Sequence, residues 1–301
     1  AISSRVLVLR HGRLAGEVAT RDTDRHQLAT MMVGAEITAP APATARPGPV
    51  LLRLDGVSTA AKGNRPGLHD LHLDLRAGQI TGLAGVSGNG QGALADLLSG
   101  LDTPDTGRLE IAGAPAHGWT PRKALAAGIG RIPEDRHSTG TVADFTLTEN
   151  AVLESYARAP ASRHGWMDWA AARRDTEALI DTYDVRCPGP DARIRLLSGG
   201  NMQKLILGRV LEAGPRIILA NQPVRGLDIG AVTYVQERLI AARDAGAAVL
   251  LISEDLDEIL TLSDVIRVIS EGRLSPEFAR GEKTPAELGQ WMAGQGFDHA
   301  A

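Results

Sequence analysis

The chain has 301 residues, 43% of them hydrophobic, and 32 Lys and Arg against 36 Asp and Glu give a formal net charge of -4. That length and apolar share suffice for one large α/β domain or two small ones, and they exclude a disordered or fibrous chain. The weakly acidic balance argues against an evenly basic nucleic-acid binder, and the single cysteine, Cys187, with no Cys/His cluster at metal spacing, points to a reducing compartment, the cytosol.

The chain opens Ala1-Ile2-Ser3-Ser4, with no basic leader or apolar signal core, and its first methionine is Met31, so the native start is expected elsewhere. Slid against itself by about 260 residues, the sequence matches in one ungapped frame. Ser3 meets Ser263, Val8 meets Val268, Gly12-Arg13-Leu14 meets Gly272-Arg273-Leu274, Glu17 meets Glu277, Leu28 meets Leu288, Met32 meets Met292 and Gly34 meets Gly294. The bland alternative is that both ends carry a common strand, turn and amphipathic helix. The preferred reading is a repeat, with residues 1–36 the tail of a preceding domain whose second copy fills most of the remainder. Between them, residues 37–49 carry Pro40, Pro42, Pro47 and Pro49 without helical or strand periodicity, as an extended linker does.

From Val50 onward, residues 50–57 and 68–75 alternate as strands, residues 79–84 read as a buried strand, and residues 92–101 read as a helix. A polar middle, about residues 136–195, shows helical patterns over 147–156 and 169–183 before buried-strand runs return at Ile217 and Val249. The pattern is an α/β core with a helical insertion. The longest apolar runs, residues 216–220 and 247–252, fall far short of the roughly 20 residues that a membrane-spanning helix needs, so any membrane association runs through a partner. Trp166 and Trp169, beside Met167, are expected to pack inside the insertion rather than stack on bases. The eight histidines are scattered, and none is assigned to metal or acid–base work.

The strand ending at Ala84 runs into Gly85-Val86-Ser87-Gly88-Asn89-Gly90 and then a helical stretch beginning Gln91-Gly92. Strand, glycine-rich turn and helix in that order are the setting of a phosphate-binding loop, where backbone N–H groups and the helix N-terminus converge on phosphate oxygens. The pattern G-x-x-x-x-G-K-[ST] demands Lys and then Ser or Thr, and this chain has Gln91 and Gly92 instead. Loss of the lysine removes a charge-assisted bond of roughly 1.5–3 kcal/mol, and loss of the hydroxyl removes a Mg²⁺ ligand. Taken alone, the segment is equally a glycine-rich turn of another α/β fold.

Further motifs give it a context. Leu197-Ser198-Gly199-Gly200-Asn201 opens an apolar helical stretch, the buried strand from Ile217 ends in Asn221-Gln222, and Gly226-Leu227-Asp228 and Ile252-Ser253-Glu254 follow. In order and spacing these resemble the ABC ATPase family: signature motif, Walker B strand, D-loop and switch segment. The resemblance implies an α/β P-loop NTPase of ABC type, a mixed sheet with a helical subdomain inserted between phosphate loop and signature. The nucleotide-binding domain would span residues 50–282, and residues 283–301 would form a C-terminal helix and tail.

Set beside that family, the catalytic positions are depleted. Asn221 stands where an Asp orders Mg²⁺, Gln222 where a Glu polarises the attacking water, Glu254 where the switch has His, and Glu134 where the Q-loop has Gln. Residues 58–64 offer no aromatic to stack on adenine. No catalytic residue is intact in cis, and no metal ligand is assigned. The signature and D-loop are intact, and in this family they act on the opposite domain's nucleotide, so ATP and Mg²⁺ are expected at a composite site with the preceding half.

The Glu134-Asp135-Arg136 run, Ser198-Gly199-Gly200-Asn201 and the stretch from Gln222 to Ala231 look like the second half of monosaccharide and nucleoside importer ATPases. That implies, as partners, the preceding ABC domain of the same polypeptide, permease subunits and, indirectly, an extracytoplasmic solute-binding protein. It also implies a peripheral position on the cytoplasmic face of the membrane and no nucleic acid. The alternatives are a tandem ABC protein acting on ribosomes or DNA, or a truncated, non-hydrolysing remnant kept for interaction; the lack of long basic arms or coiled coils favours transport.

Overall fold

The computed structural model describes residues 3–10, 13–33, 44–63 and 65–297. Gly12 and Gly34 of the repeat, Asn64 of the segment searched for an aromatic, His11 and His299, and most of the proposed linker lie outside the described residues.

At the N-terminus β1 (Arg5–Arg10), β2 (Arg13–Ala19) and α1 (Arg25–Val33) precede the main body. An antiparallel sheet follows, from β3 (Val50–Thr59) and β4 (Leu68–Arg76), then β5 (Gln79–Ala84) and α2 (Gln91–Leu98). Next come β6 (Thr106–Ile111), β7 (Ala114–Pro115), α3 (Pro121–Ala126) and β8 (Ile129–Ile132). The insertion holds α4 (Leu147–Ala151), β9 (Ser162–Arg163), β10 (Trp166–Met167) and α5 (Trp169–Thr182). After it run α6 (Gly199–Glu212), β11 (Ile217–Asn221), α7 (Ile229–Asp244), β12 (Ala248–Ser253) and α8 (Leu256–Leu262). The body closes with β13 (Val265–Ser270), β14 (Arg273–Leu274), β15 (Phe278–Ala279) and α9 (Pro285–Met292).

The main sheet runs β14-β13-β5-β12-β11-β8, with β15 also on β13, and the five strands from β13 to the edge strand β8 are parallel. Alternation divides its side chains between two cores. Ile80, Ile218, Val249, Leu251 and Val268 face the helices α6 to α9, whereas Leu83, Leu219, Leu250, Ile252 and Ile269 face α2 and the antiparallel sheet β4-β3-β6-β7. Both faces are covered, which is why these strands read as continuous apolar runs. The expected fold class, α/β with a mixed sheet and a helical insertion, is the one observed.

Two local readings need correction. The helix expected over residues 147–156 is only α4, fixed at its start by a capping box between Thr146 and Glu149; beyond it the chain tightens into turns, Ser155 N donating to Val152 O and Arg158 N to Ser155 O. Trp166 and Trp169 do not pack in the insertion: they are 81% and 52% exposed. The apolar cluster beneath them contains only Val152, Ala161 and Ala172 with Met167, too small to cover two indoles.

The N-terminal hairpin repeats the C-terminal one in register. Arg5 pairs with Ala19, Val6 with Val18, Leu9 with Leu14 and Arg10 with Arg13. About 260 residues on, Val265 pairs with Ala279, Ile266 with Phe278, Ile269 with Leu274 and Ser270 with Arg273. The helices α1 and α9 follow at the same spacing.

Candidate nucleotide site and signature face

The site lies where the strand carboxyl ends of β5, β8, β11 and β12 open, the usual ligand crevice of an α/β sheet. From β5 the chain turns through Gly85, Val86, Ser87, Gly88, Asn89 and Gly90 into α2. Gly88 and Gly90 have φ of +88° and +116°, a backbone that side chains rarely adopt. The turn is seated on the end of β13: a Cβ at Gly90 would lie 3.0 Å from Ile269 Cδ1 and 3.1 Å from Gly272 Cα. Gly272 N donates to Asn89 O at 2.9 Å, and His69 N donates to Gly272 O at 2.8 Å.

Gln91 does not point outward. Its Nε2 donates back to Val86 O at 2.9 Å, the side chain is buried, and its Oε1 has no hydrogen-bond partner among the described residues. Gly92 faces open space, so nothing in the packing forbids a larger residue there. A cavity of about 170 Å³ stands in front, lined among others by Gln91, Gly92, Glu134, Asn221, Gln222 and Glu254. The structure thus brings together all six depleted positions named from the sequence. Asn221 ends β11 buried, and Gln222 sits at φ +50° with its N donating to Ile252 O. The cationic side chains nearby are engaged: Arg65 with Asp96 at 2.7 Å and Arg225 with Glu134 at 2.6 Å.

These residues do not fit a Mg²⁺–nucleotide: backbone donors of the loop remain, but the cavity is lined by the carboxylates Glu134 and Glu254 and the neutral amides Asn221 and Gln222, and the Gln91 side chain is tied to the loop itself. Among the described residues no His, Cys, Asp and Glu group has the arrangement of a metal site.

The signature face is built differently. Leu197 is buried and leads into Ser198, the N-cap of α6, followed by Gly199, Gly200 and Asn201 in the first turn. Ser198 accepts no helix-capping hydrogen bond; instead Asn201 Nδ2 donates to its Oγ at 2.9 Å, and Arg186 N donates to Asn201 Oδ1 at 2.9 Å. Its side chain therefore does not cap α6, and among the described residues its hydroxyl oxygen is engaged only as an acceptor. Gly226 and Leu227 form the turn before Asp228, whose Oδ1 accepts from Ala231 N at 3.0 Å and caps α7. That capping role went unrecognised in the sequence, although an Asp immediately before a helical run signals it. Ser198, Gly200, Asn201 and Asp228 border one cavity of about 570 Å³, which Leu9 and Met32 of the N-terminal segment also line.

A parallel α/β sheet with a glycine-rich helix-entry loop, and an inserted helical subdomain followed by a Ser-Gly-Gly helix start, defines a nucleotide-binding cassette of the P-loop class. Residues 68–225 match the model of the ABC transporter family, and the chain belongs to that family. It is 42% identical over 97% of its length to a guanosine import ATP-binding protein of Bacillus subtilis (strain 168), and 37% identical over 98% to a nucleoside import ATP-binding protein of Lactococcus lactis subsp. cremoris (strain MG1363). It spans 58% of the length of each of those two relatives. The fold resembles that of the ATP-binding cassette MJ0796 in a dimeric post-hydrolysis state bound to ADP and Pi, with a TM-score of 0.65 at 20% identity, covering 78% of this chain and all of that one.

Proposed function

We propose that this chain is the second nucleotide-binding half of an ABC importer ATPase for a nucleoside or simple sugar. In this reading its own phosphate loop does not hydrolyse ATP, and its signature completes the site of a preceding half. One observation carries the reading. Among the described residues β1 pairs only with β2, whereas its counterpart β13 also pairs with β5, and Leu9 is 66% exposed where its counterpart Ile269 is fully buried. An isolated two-stranded hairpin with an open edge is marginal in water. Such an edge and such a leucine are what a hairpin presents when the domain that covers it is absent.

The direction of the contact follows from the same counterparts. Ile269 packs on the glycines of this domain's phosphate loop. Leu9 lines the cavity beside Ser198 and Gly200, so the phosphate loop of a preceding half would stand against the signature. There the α6 N-terminus and the Ser198 hydroxyl would close on the γ-phosphate of a bound nucleotide, whose Mg²⁺ and lysine would come from the other half. The relatives' names support import of a nucleoside, and hence permease subunits in the membrane, an extracytoplasmic binding protein and a place on the cytoplasmic face, while the sequence run at Glu134-Asp135-Arg136 is shared in appearance with simple-sugar importers. No helix among the described residues is long and apolar enough to cross a membrane.

The test is made in the parent polypeptide. Ser198→Arg should abolish Mg²⁺-dependent ATP hydrolysis, while Gln91→Ala should leave it within about two-fold, because Gln91 binds only its own loop. The reverse ranking would show that the hydrolysing site had been assigned to the wrong half. The 301-residue chain alone should hydrolyse nothing above background.

A further inference from the structure

Glu134, Asp135 and Arg136 stand in one run between the phosphate cradle and the signature, and each has a separate contact. Glu134 holds Arg225. Asp135 builds a turn: its carboxylate accepts from His137 N at 2.8 Å, Ser138 N at 3.1 Å and Ser138 Oγ at 2.6 Å, which brings its pKa down to about 2. Arg136 leaves that turn toward the start of α6. Its Nη1 donates to Arg225 O at 2.8 Å. Its guanidinium lies so near Gly199 that a Cβ there would be 3.1 Å from Nη2, 3.2 Å from Nε and 3.4 Å from Cζ, and a Cβ at Gly226 would be 3.6 Å from Nη2.

We propose that Arg136 is a positioning residue for the donated signature, a planar wedge that fixes the first turn of α6 against the turn at 222–226. The proposal rests on the reading that the signature acts on another domain's nucleotide. Nη2 and Nε lie nearer to that Cβ position than Cζ does, so the Nε–Nη2 edge of the guanidinium is turned toward Gly199, a shape an ammonium cannot reproduce. The packing is kept although Arg136 Nε is buried without a hydrogen-bond partner among the described residues.

The wedge is held from both sides. Thr141 Oγ1 donates to Arg136 O at 2.8 Å, and Gly140 sits so close to α6 that a Cβ there would be 2.8 Å from Ile206 Cδ1. Opposite, Gln203 Nε2 of α6 donates to Pro223 O at 2.7 Å, a second tie between signature helix and turn. The charge has a consequence as well. A cation beside a helix N-terminus is unfavourable in isolation and becomes favourable when an anion docks there. Arg136 therefore adds to the attraction of the signature for a phosphate brought by a neighbouring domain.

Two measurements test this. In the 301-residue chain, hydrogen exchange of the amides of residues 202–203, the first ones bonded within α6, should accelerate about ten-fold or more in both Arg136→Ala and Arg136→Lys, with residues 204–212 changed less than about two-fold. In the parent polypeptide, both variants should lower kcat for ATP about ten- to a hundred-fold with KM within about two-fold, since misplacement of a reacting constellation by an ångström has that scale. Unchanged exchange at 202–203 overturns the proposal, and so does a lysine variant with restored kcat, which would leave charge alone as the cause. Ser198→Arg separates the two levels. If it abolishes hydrolysis while both Arg136 variants keep wild-type kcat, the wedge has no role; if it is silent, the reading on which the wedge depends has failed. Should Arg136→Ala not fold, the lysine variant decides by both readouts.

Discussion

Glu258 lies on α8 beneath the strand end that carries Ser253 and Glu254, 4% exposed, with no hydrogen bond of normal geometry to either carboxylate oxygen among the described residues. Burial pushes its pKa up to about 7 from an ordinary 4.5; the Ser253 hydroxyl pulls the other way, and the Asp255 charge adds to the rise. The separation between folded and unfolded values corresponds to about 3 kcal/mol. A raised carboxyl pKa means that the folded state prefers the protonated form. Its contribution is therefore fully present below pH 4.5, declines as the unfolded chain ionises, and is lost once pH passes about 7. Glu258→Gln removes the titration and leaves the volume unchanged. Urea unfolding should show the variant more stable than the parent chain by about 2–3 kcal/mol at pH 8 and by less than about 1 kcal/mol at pH 5. Taking the difference between the two proteins at each pH cancels every other titrating group. An equal difference at both pH values would refute the assignment of an uncompensated buried carboxyl.

The same packing supports shorter expectations. Gly82→Ala in β5 would place a methyl in overlap with Ser263 Oγ and 2.8 Å from its Cβ, so the unfolding free energy should drop by about 1–3 kcal/mol or more; an unshifted thermal midpoint would mean that Ser263 yields freely. Asn150 is fully buried, accepts from Val142 N and donates to the carbonyls of Val142, Phe145 and Thr146, so Asn150→Ala should cost about 3 kcal/mol and speed proteolysis at 142–146. Gln91→Lys with Gly92→Ser should fold normally, since position 92 faces open space. It should still show no ATP hydrolysis in the isolated chain, because Asn221, Gln222 and Glu254 are unchanged; measurable Mg²⁺-dependent turnover would show that the loop alone was limiting.

What could be read in the sequence depended on range. β5 and the glycine turn were legible because local geometry dictates them, with a buried strand, two positive-φ glycines and a helix start in succession. The likeness of the two ends was legible because the two hairpins keep the same residue spacing between paired positions. By contrast, β6 went unread because only Leu109 of its six residues is buried, which leaves no alternation to see. Trp166 and Trp169 were misplaced because apolar character says that a side chain would gain from burial, not that the fold supplies a cover. The closeness of Arg136 to Gly199 and the burial of Glu258 depend on loops that meet far apart in sequence. A charged residue on a short helix gives no local sign that its neighbours have shut out water.

The geometry of the glycine turn does not depend on a ligand. Gly85 and Gly90 are close-packed against Ile269 and Gly272, and Asn89, Gly272 and His69 form a continuous chain of backbone hydrogen bonds. A Cβ at Gly92, by contrast, would meet nothing within 4 Å outside its own helix. If the loop were kept in shape by a bound ligand, substitutions at 90 and 92 would have comparable effects on the unliganded fold. Because packing keeps it, Gly90→Ala must meet both the strain of φ +116° and a contact of 3.0 Å, while Gly92→Ala meets neither and gains the helix preference of alanine, about 1 kcal/mol. Opposite signs of the two stability changes, measured by urea unfolding of the same chain, are therefore expected. Equal losses would mean that the loop owes its shape to something other than β13 and its turn.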